Sequence, residues 1–145
     1  MKIMRGGRAE EIITLGVAPG ELLLETVWAA VKKLGIRNGV VVSGIGTLKT
    51  CHMHHIDHDR FPPRDIHFTI KRPLELLAVS GLIANGEPHL HIVVSHRDKH
   101  TYGGHLEDKS EVLYMAEIAI LKCNSLKMTR VFDPVRRIKL LTPHK

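Results

Sequence analysis

Cysteine is scarce: Cys51 and Cys123 are the two in 145 residues, in no Cys-X-X-Cys arrangement. That excludes a disulfide framework and a thiolate zinc finger, and leaves both as small core residues. Aromatics are few as well, Trp28, Phe61, Phe68, Tyr102, Tyr114 and Phe132, which argues against a platform for stacking single-stranded bases. The apolar runs are too short to span a bilayer, and Met1 to Arg8 lacks the apolar stretch of a signal peptide, so a cytoplasmic protein is expected. There is no Walker-type phosphate loop, and Gly44-Ile45-Gly46 lacks the third glycine of a dinucleotide fingerprint. Neither Ser43 nor Ser80 forms a Gly-X-Ser-X-Gly elbow, which sets serine hydrolases aside.

What is present is the composition of a globular protein, 43% hydrophobic and 25% charged, sufficient to bury a core without staples. Residues 1–145 read as one domain with its core from about residue 8 to 141. A formal charge of +6 permits attraction to phosphate, with Arg130, Arg136, Arg137 and Lys139 as the cluster that supplies it. Contacts of that kind give affinity without sequence preference, so DNA is expected only as a weak, non-specific partner.

Gly20 to Gly35 carries the periodicity of a helix. Leu24, Val27, Trp28, Val31 and Leu34 repeat at three and four, acids precede, lysines follow, and Gly35 is a stop. On that stripe Trp28 reads as a core anchor. The rest reads as strands: Glu11 to Val17, Gly39 to Gly44, Leu48 to Ile56, Leu74 to Ala84, His89 to Ser95, Glu111 to Lys122, Met128 to Phe132 and Ile138 to Leu141. Glu111 to Leu121 is also compatible with a helix. The polar segment Asp57 to Asp65, with Pro62-Pro63, reads as a surface loop. Strands and helix do not alternate regularly, which points to an α+β fold, a largely antiparallel sheet covered by one main helix.

Eleven histidines are present, and three of them suggest a site. In an extended segment His89 and His91 project from one face while Leu90, Ile92 and Val94 face the core. His105 follows Gly103-Gly104, where a tight turn would bring backbone and ring close to a site. Three imidazoles suit zinc or a related divalent transition metal and leave one coordination position open. The pair in His52-Met53-His54 has no glycine-flanked partner of this kind.

The ordered set Gly20-Glu21-Leu22, Gly44-Ile45-Gly46-Thr47-Leu48, Glu75-Leu76-Leu77 with Gly81, His89-Leu90-His91, Gly103-Gly104-His105-Leu106 and Glu117-Ile118 resembles the PPC domain, named for plants and prokaryotes. The resemblance runs from about Arg8 to about Leu141 and is to the stand-alone prokaryotic type. It implies an α+β domain that forms a homotrimer, and a metal site at His89, His91 and His105. Apolar strands too numerous for one helix to cover agree with assembly. Plant members carry AT-hooks, but Arg5-Gly6-Gly7-Arg8 lacks the proline of that core. In the plant partner-contact element Gly-Arg-Phe-Glu-Ile-Leu, Arg72 falls one position from the required arginine, on the opposite strand face.

Two functional classes follow: a trimeric metal-binding module, and a zinc-dependent enzyme acting on a small-molecule ligand at the three-histidine site. The enzyme needs a general base, for which Glu75 and Glu117 are the candidates, each lying in an otherwise apolar strand. The competing reading is a structural carboxylate paired with Arg72 or Arg130.

Overall fold

The computed structural model describes residues 1–144. In chain order the elements are β1 (Glu11–Val17), α1 (Leu23–Lys33), β2 (Asn38–Ile56), β3 (Asp65–Ala84), β4 (Glu87–Ser95), β5 (Thr101–Leu106), β6 (Glu111–Lys122), β7 (Met128–Asp133) and β8 (Ile138–Pro143). Every strand pairing is antiparallel. The fold is therefore α+β, with one helix on a mostly antiparallel sheet, as expected, and the alternative helical reading of Glu111 to Leu121 is excluded.

Helix α1 starts after Leu22 without a side-chain cap and carries Glu25 in its first turn and Lys32 and Lys33 in its last, matching the dipole at both ends. Gly35 (φ +60) ends it, and the Ile36 amide donates back to the Val31 carbonyl at 3.0 Å, closing a Schellman-type cap. The buried stripe is Leu23, Leu24, Val27 and Val31. Trp28 is not on it: it is 41% exposed, a correction to the core-anchor reading. At about 100° per residue, Trp28 is turned from Val27 onto the shoulder of the stripe.

The main sheet runs β1-β6-β2-β3-β4-β5, and a further β2–β5 pairing returns its last strand to β2. Strands β2, β3, β4 and β5 thus close on themselves. Length makes this feasible: β2 has 19 residues and β3 has 20, so each is long enough to bend and change neighbours. The first half of β2 lies between β6 and the end of β3, while its second half pairs with the start of β3 and with β5. Register shifts near Val41/Ser43, Gly46/Leu48 and Leu48/Thr50 mark the bends. The two strands expected at Gly39 to Gly44 and Leu48 to Ile56 are one, because residues 45–47 continue as bulged strand.

Two further boundaries differ. Strand β3 begins at Asp65, nine residues before Leu74: Ile66, Phe68 and Ile70 alternate with polar residues there, and Phe68 and Ile70 pack against the core. Gly103 and Gly104 form no turn but lie within β5. Their role is close approach: a Cβ on Gly104 would sit 2.8 Å from the His54 carbonyl oxygen and 2.9 Å from the His55 ring. The absence of that side chain lets β5 reach β2.

Strands β7 and β8 form a separate hairpin, fastened by the buried Asn38, whose Oδ1 accepts from the amides of Met128 (2.9 Å) and Asn85 (3.3 Å). Arg130 of the hairpin donates to the carbonyls of Glu87 (2.7 Å) and Leu82 (3.0 Å). Cys51 and Cys123 are both buried free thiols, as expected.

Replacing Gly104 with Val would force β5 from β2 and cost roughly 1–3 kcal/mol, the usual penalty of overpacking. Urea unfolding should show this, with a parallel change in the His105 NMR signals.

Candidate metal centre

The closed end of the sheet builds a row of histidines. His54 on β2 is the cross-strand partner of His67 on β3 and of His105 on β5, and His105 is in turn the partner of His91 on β4. Directly opposed residues project on one side with Cβ atoms about 4.5–5.5 Å apart. Register alone therefore brings together rings from four strands. His89 joins two residues along β4, where Leu90, Ile92 and Val94 alternate into the core.

The three histidines singled out from the sequence converge. Ring nitrogens of His89, His91 and His105, one from each, lie within 4.8 Å of one another. His89 Nε2 and His91 Nε2 are 3.3 Å apart. A tetrahedral ion with nitrogen ligands at ~2.0–2.1 Å holds them ~3.3–3.4 Å apart, so this separation matches an edge of such a site. The His89 and His91 rings stack at 5.4 Å and 12°, and His105 stands nearly perpendicular to both, at 88° and 77°. The donor set and its spacing fit a divalent transition ion.

Burial lowers the His105 pKa to about 4, reinforced by His89, His54 and His91 and opposed by Glu107. His89 is lowered by burial first, then by the Arg130 charge and by His91. For His89 and His105 burial thus favours the neutral ring, the state in which imidazole binds metal. They border a cavity of about 570 Å³ whose other walls include His54, Asp65, Glu87, Arg130, Arg137 and Lys139. Asp65, at the end of the loop that the sequence marks, does reach this cavity.

Neither proposed base does. Glu75 sits opposite Ser95 on β4, four residues from His91, or ~13 Å along the strand. Glu117 is on β6, opposite Gly16 and Ile45. Both are exposed, so neither pays a burial penalty, and neither has the expected arginine: Arg72 faces Asp98 at 3.5 Å, and Arg130 is turned to backbone carbonyls. The carboxylate that does enter the histidine row is Glu107, with Oε1 at 2.5 Å from His54 Nδ1. Its closeness to His105 in sequence was the available signal. His54, passed over in the His52-Met53-His54 pair, stacks on His105 at 4.5 Å, whereas His52 Nδ1 faces the Asp108 carbonyl.

Residues 4–124 match the family model of the Plants and Prokaryotes Conserved (PCC) domain. The chain is similar to a plant- and prokaryote-conserved (PPC) protein of Pyrococcus horikoshii, with 27% identity, a TM-score of 0.77, and coverage of 100% of this chain and 98% of that one. It shares the fold of a metal-containing protein from Archaeoglobus fulgidus at 23% identity and a TM-score of 0.83, covering 97% and 98% of the two chains. It is also 25% identical over 123 residues to the bifunctional protein GlmU of Synechococcus sp. (strain JA-3-3Ab), a match that takes in 85% of this chain and 19% of that protein. The hairpin β7–β8, which contributes Arg130, Arg137 and Lys139 to the cavity, lies beyond residues 4–124 of the family match.

Because the folded pKa of His105 lies near 4, below the ordinary 6.5, the unfolded chain takes up the proton more readily. The stability owed to the neutral ring is present above pH 6.5 and is lost as pH falls toward 4. Metal-free protein should therefore unfold at lower urea at pH 4.5 than at pH 7, and His105→Gln should flatten part of that slope.

Proposed function

The chain belongs to the Plants and Prokaryotes Conserved (PCC) domain family, and within it we propose that this protein is a self-assembling metal-binding domain holding one divalent transition ion, with zinc favoured, through His89, His91 and His105. The observation that carries this is the convergence of three imidazole rings whose ligand atoms lie within 4.8 Å. The metal-containing A. fulgidus protein of the same fold supports it. Zinc is favoured because imidazole suits it and no redox cofactor motif accompanies the site. Three protein ligands leave a position for a small molecule facing the cavity, and the ion would supply Lewis acidity there. That open position keeps a zinc-dependent enzyme as the second reading, with its base sought near Glu107 instead of Glu75 or Glu117.

Assembly as a homotrimer draws support from the outer side of the sheet. Val42, Ile45, Leu77, Val93 and Met115 are between 37% and 50% exposed, on β2, β3, β4 and β6. Apolar groups on strands facing outward gain by burial against further copies. DNA enters the proposal only as a charge-driven contact without sequence preference. Of the basic cluster, Arg136 pairs with Asp133 at 2.9 Å and Lys139 with Glu87 at 2.7 Å, and Arg130 is turned inward.

Purified protein is expected to retain metal through gel filtration, and His91→Ala should lower its content by one equivalent per chain. Unchanged content in that variant would remove the assignment. Light scattering should return about three times the mass of one chain, and Ile45→Glu with Leu77→Glu should return one. A wild-type monomer at all concentrations would refute the trimer.

A further inference from the structure

We propose that His54, His67 and Glu107 form a second site for a divalent transition cation, beside the first and sharing no ligand with it. One donor atom from each of the three lies within 4.8 Å of the others. Glu107 Oε1 is 2.5 Å from His54 Nδ1 and 3.8 Å from His67 Nδ1. Two imidazoles and a carboxylate are a donor set that zinc takes in open sites, and the mixed nitrogen and oxygen set also suits related ions.

The ligands come from three different segments, and two are held before any ion arrives. His54 and Glu107 are 17% and 25% exposed, whereas His67 is 51% exposed, so two donors are fixed by packing and the third stands at the mouth. The Glu107 backbone is tied to the β2 strand by its amide, which donates to the His52 carbonyl at 3.0 Å, and its carbonyl accepts at 3.3 Å from the Oγ of Ser110, a hydroxyl that also bonds the His52 backbone. The His54 ring is braced by stacking on His105. A cation would take the place of the proton between His54 Nδ1 and Glu107, moving the tautomer to Nε2–H. Asp65 Oδ1 stands 3.7 Å from that Nε2, the place of the outer carboxylate that commonly orients a ligating histidine. The stacked pair His54 and His105 is then the wall between two ions, one ring serving each.

Metal content and calorimetry on chelator-stripped full-length protein titrated with zinc test this. Wild type should bind two equivalents per chain. His67→Ala and Glu107→Gln should each bind one, or take the second at least ~10-fold more weakly, while His91→Ala should lose the other equivalent. His100→Ala, an exposed histidine outside both groups, should keep two. Because His67 is half exposed, its variant should melt like wild type, which separates ligand loss from unfolding. A single equivalent in wild type that survives His67→Ala and Glu107→Gln but not His91→Ala overturns the second site and leaves the first intact. A single equivalent lost with Glu107→Gln and kept in His91→Ala supports the second site and overturns the first. Loss of an equivalent in His100→Ala would mean scattered binding to surface histidines and would also overturn the proposal.

Discussion

His54 can face His67 on one side and His105 on the other only because β2 is paired on both edges at that level. Side chains alternate along a strand, so a shift of one residue in either pairing would send one ring of the row to the opposite face. The β4–β5 register, with His91 opposite His105, extends the row, and the β3–β4 pairing of Ser80 with His91 fastens it back to β3. The imidazoles are therefore held by backbone hydrogen bonds on several strands at once. A site of this construction needs little from its own side-chain contacts to be ordered.

The same closure demands small residues where strands crowd. Gly104 faces the backbone of His54 at a distance no Cβ tolerates, and its neighbour His105 gains its place in the row from that approach. Bulges in β2 serve the complementary end, turning the strand so that its two halves meet different partners. Closure, bending and ligand placement are one geometric problem solved by three local features.

The chemistry of β4 was legible because its residues alternate cleanly: Leu90, Ile92 and Val94 inward, His89 and His91 outward. The C-terminal signal of α1 was legible for the same local reason, a glycine following lysines. Trp28 misled because periodicity gives the angle of a residue but not the width of the face that the sheet covers. The start of β3 was missed although Ile66, Phe68 and Ile70 alternate there, because the polar loop before it runs into the strand without a break and Phe68 and Ile70 are only partly buried. Glu107 and His67 were not assigned, since their relation to His54 is set by strand register, which the residue pattern does not give. Glu75 and Glu117 looked costly only on the assumption that both faces of their strands are buried in one chain.

Opposite the histidines, the cavity wall is the β7–β8 hairpin, which belongs to another sheet and is fastened through Asn38 and Arg130. A two-stranded hairpin has marginal stability by itself, so the two walls differ in how firmly they are held: one by the closed sheet, the other by a buried amide and a guanidinium. Any molecule that spans them binds the docked hairpin in preference to the loosened one. By mass action its binding free energy then appears as added protection of the hairpin amides against hydrogen exchange, so occupancy of the cavity is written into the local stability of the chain's last strands.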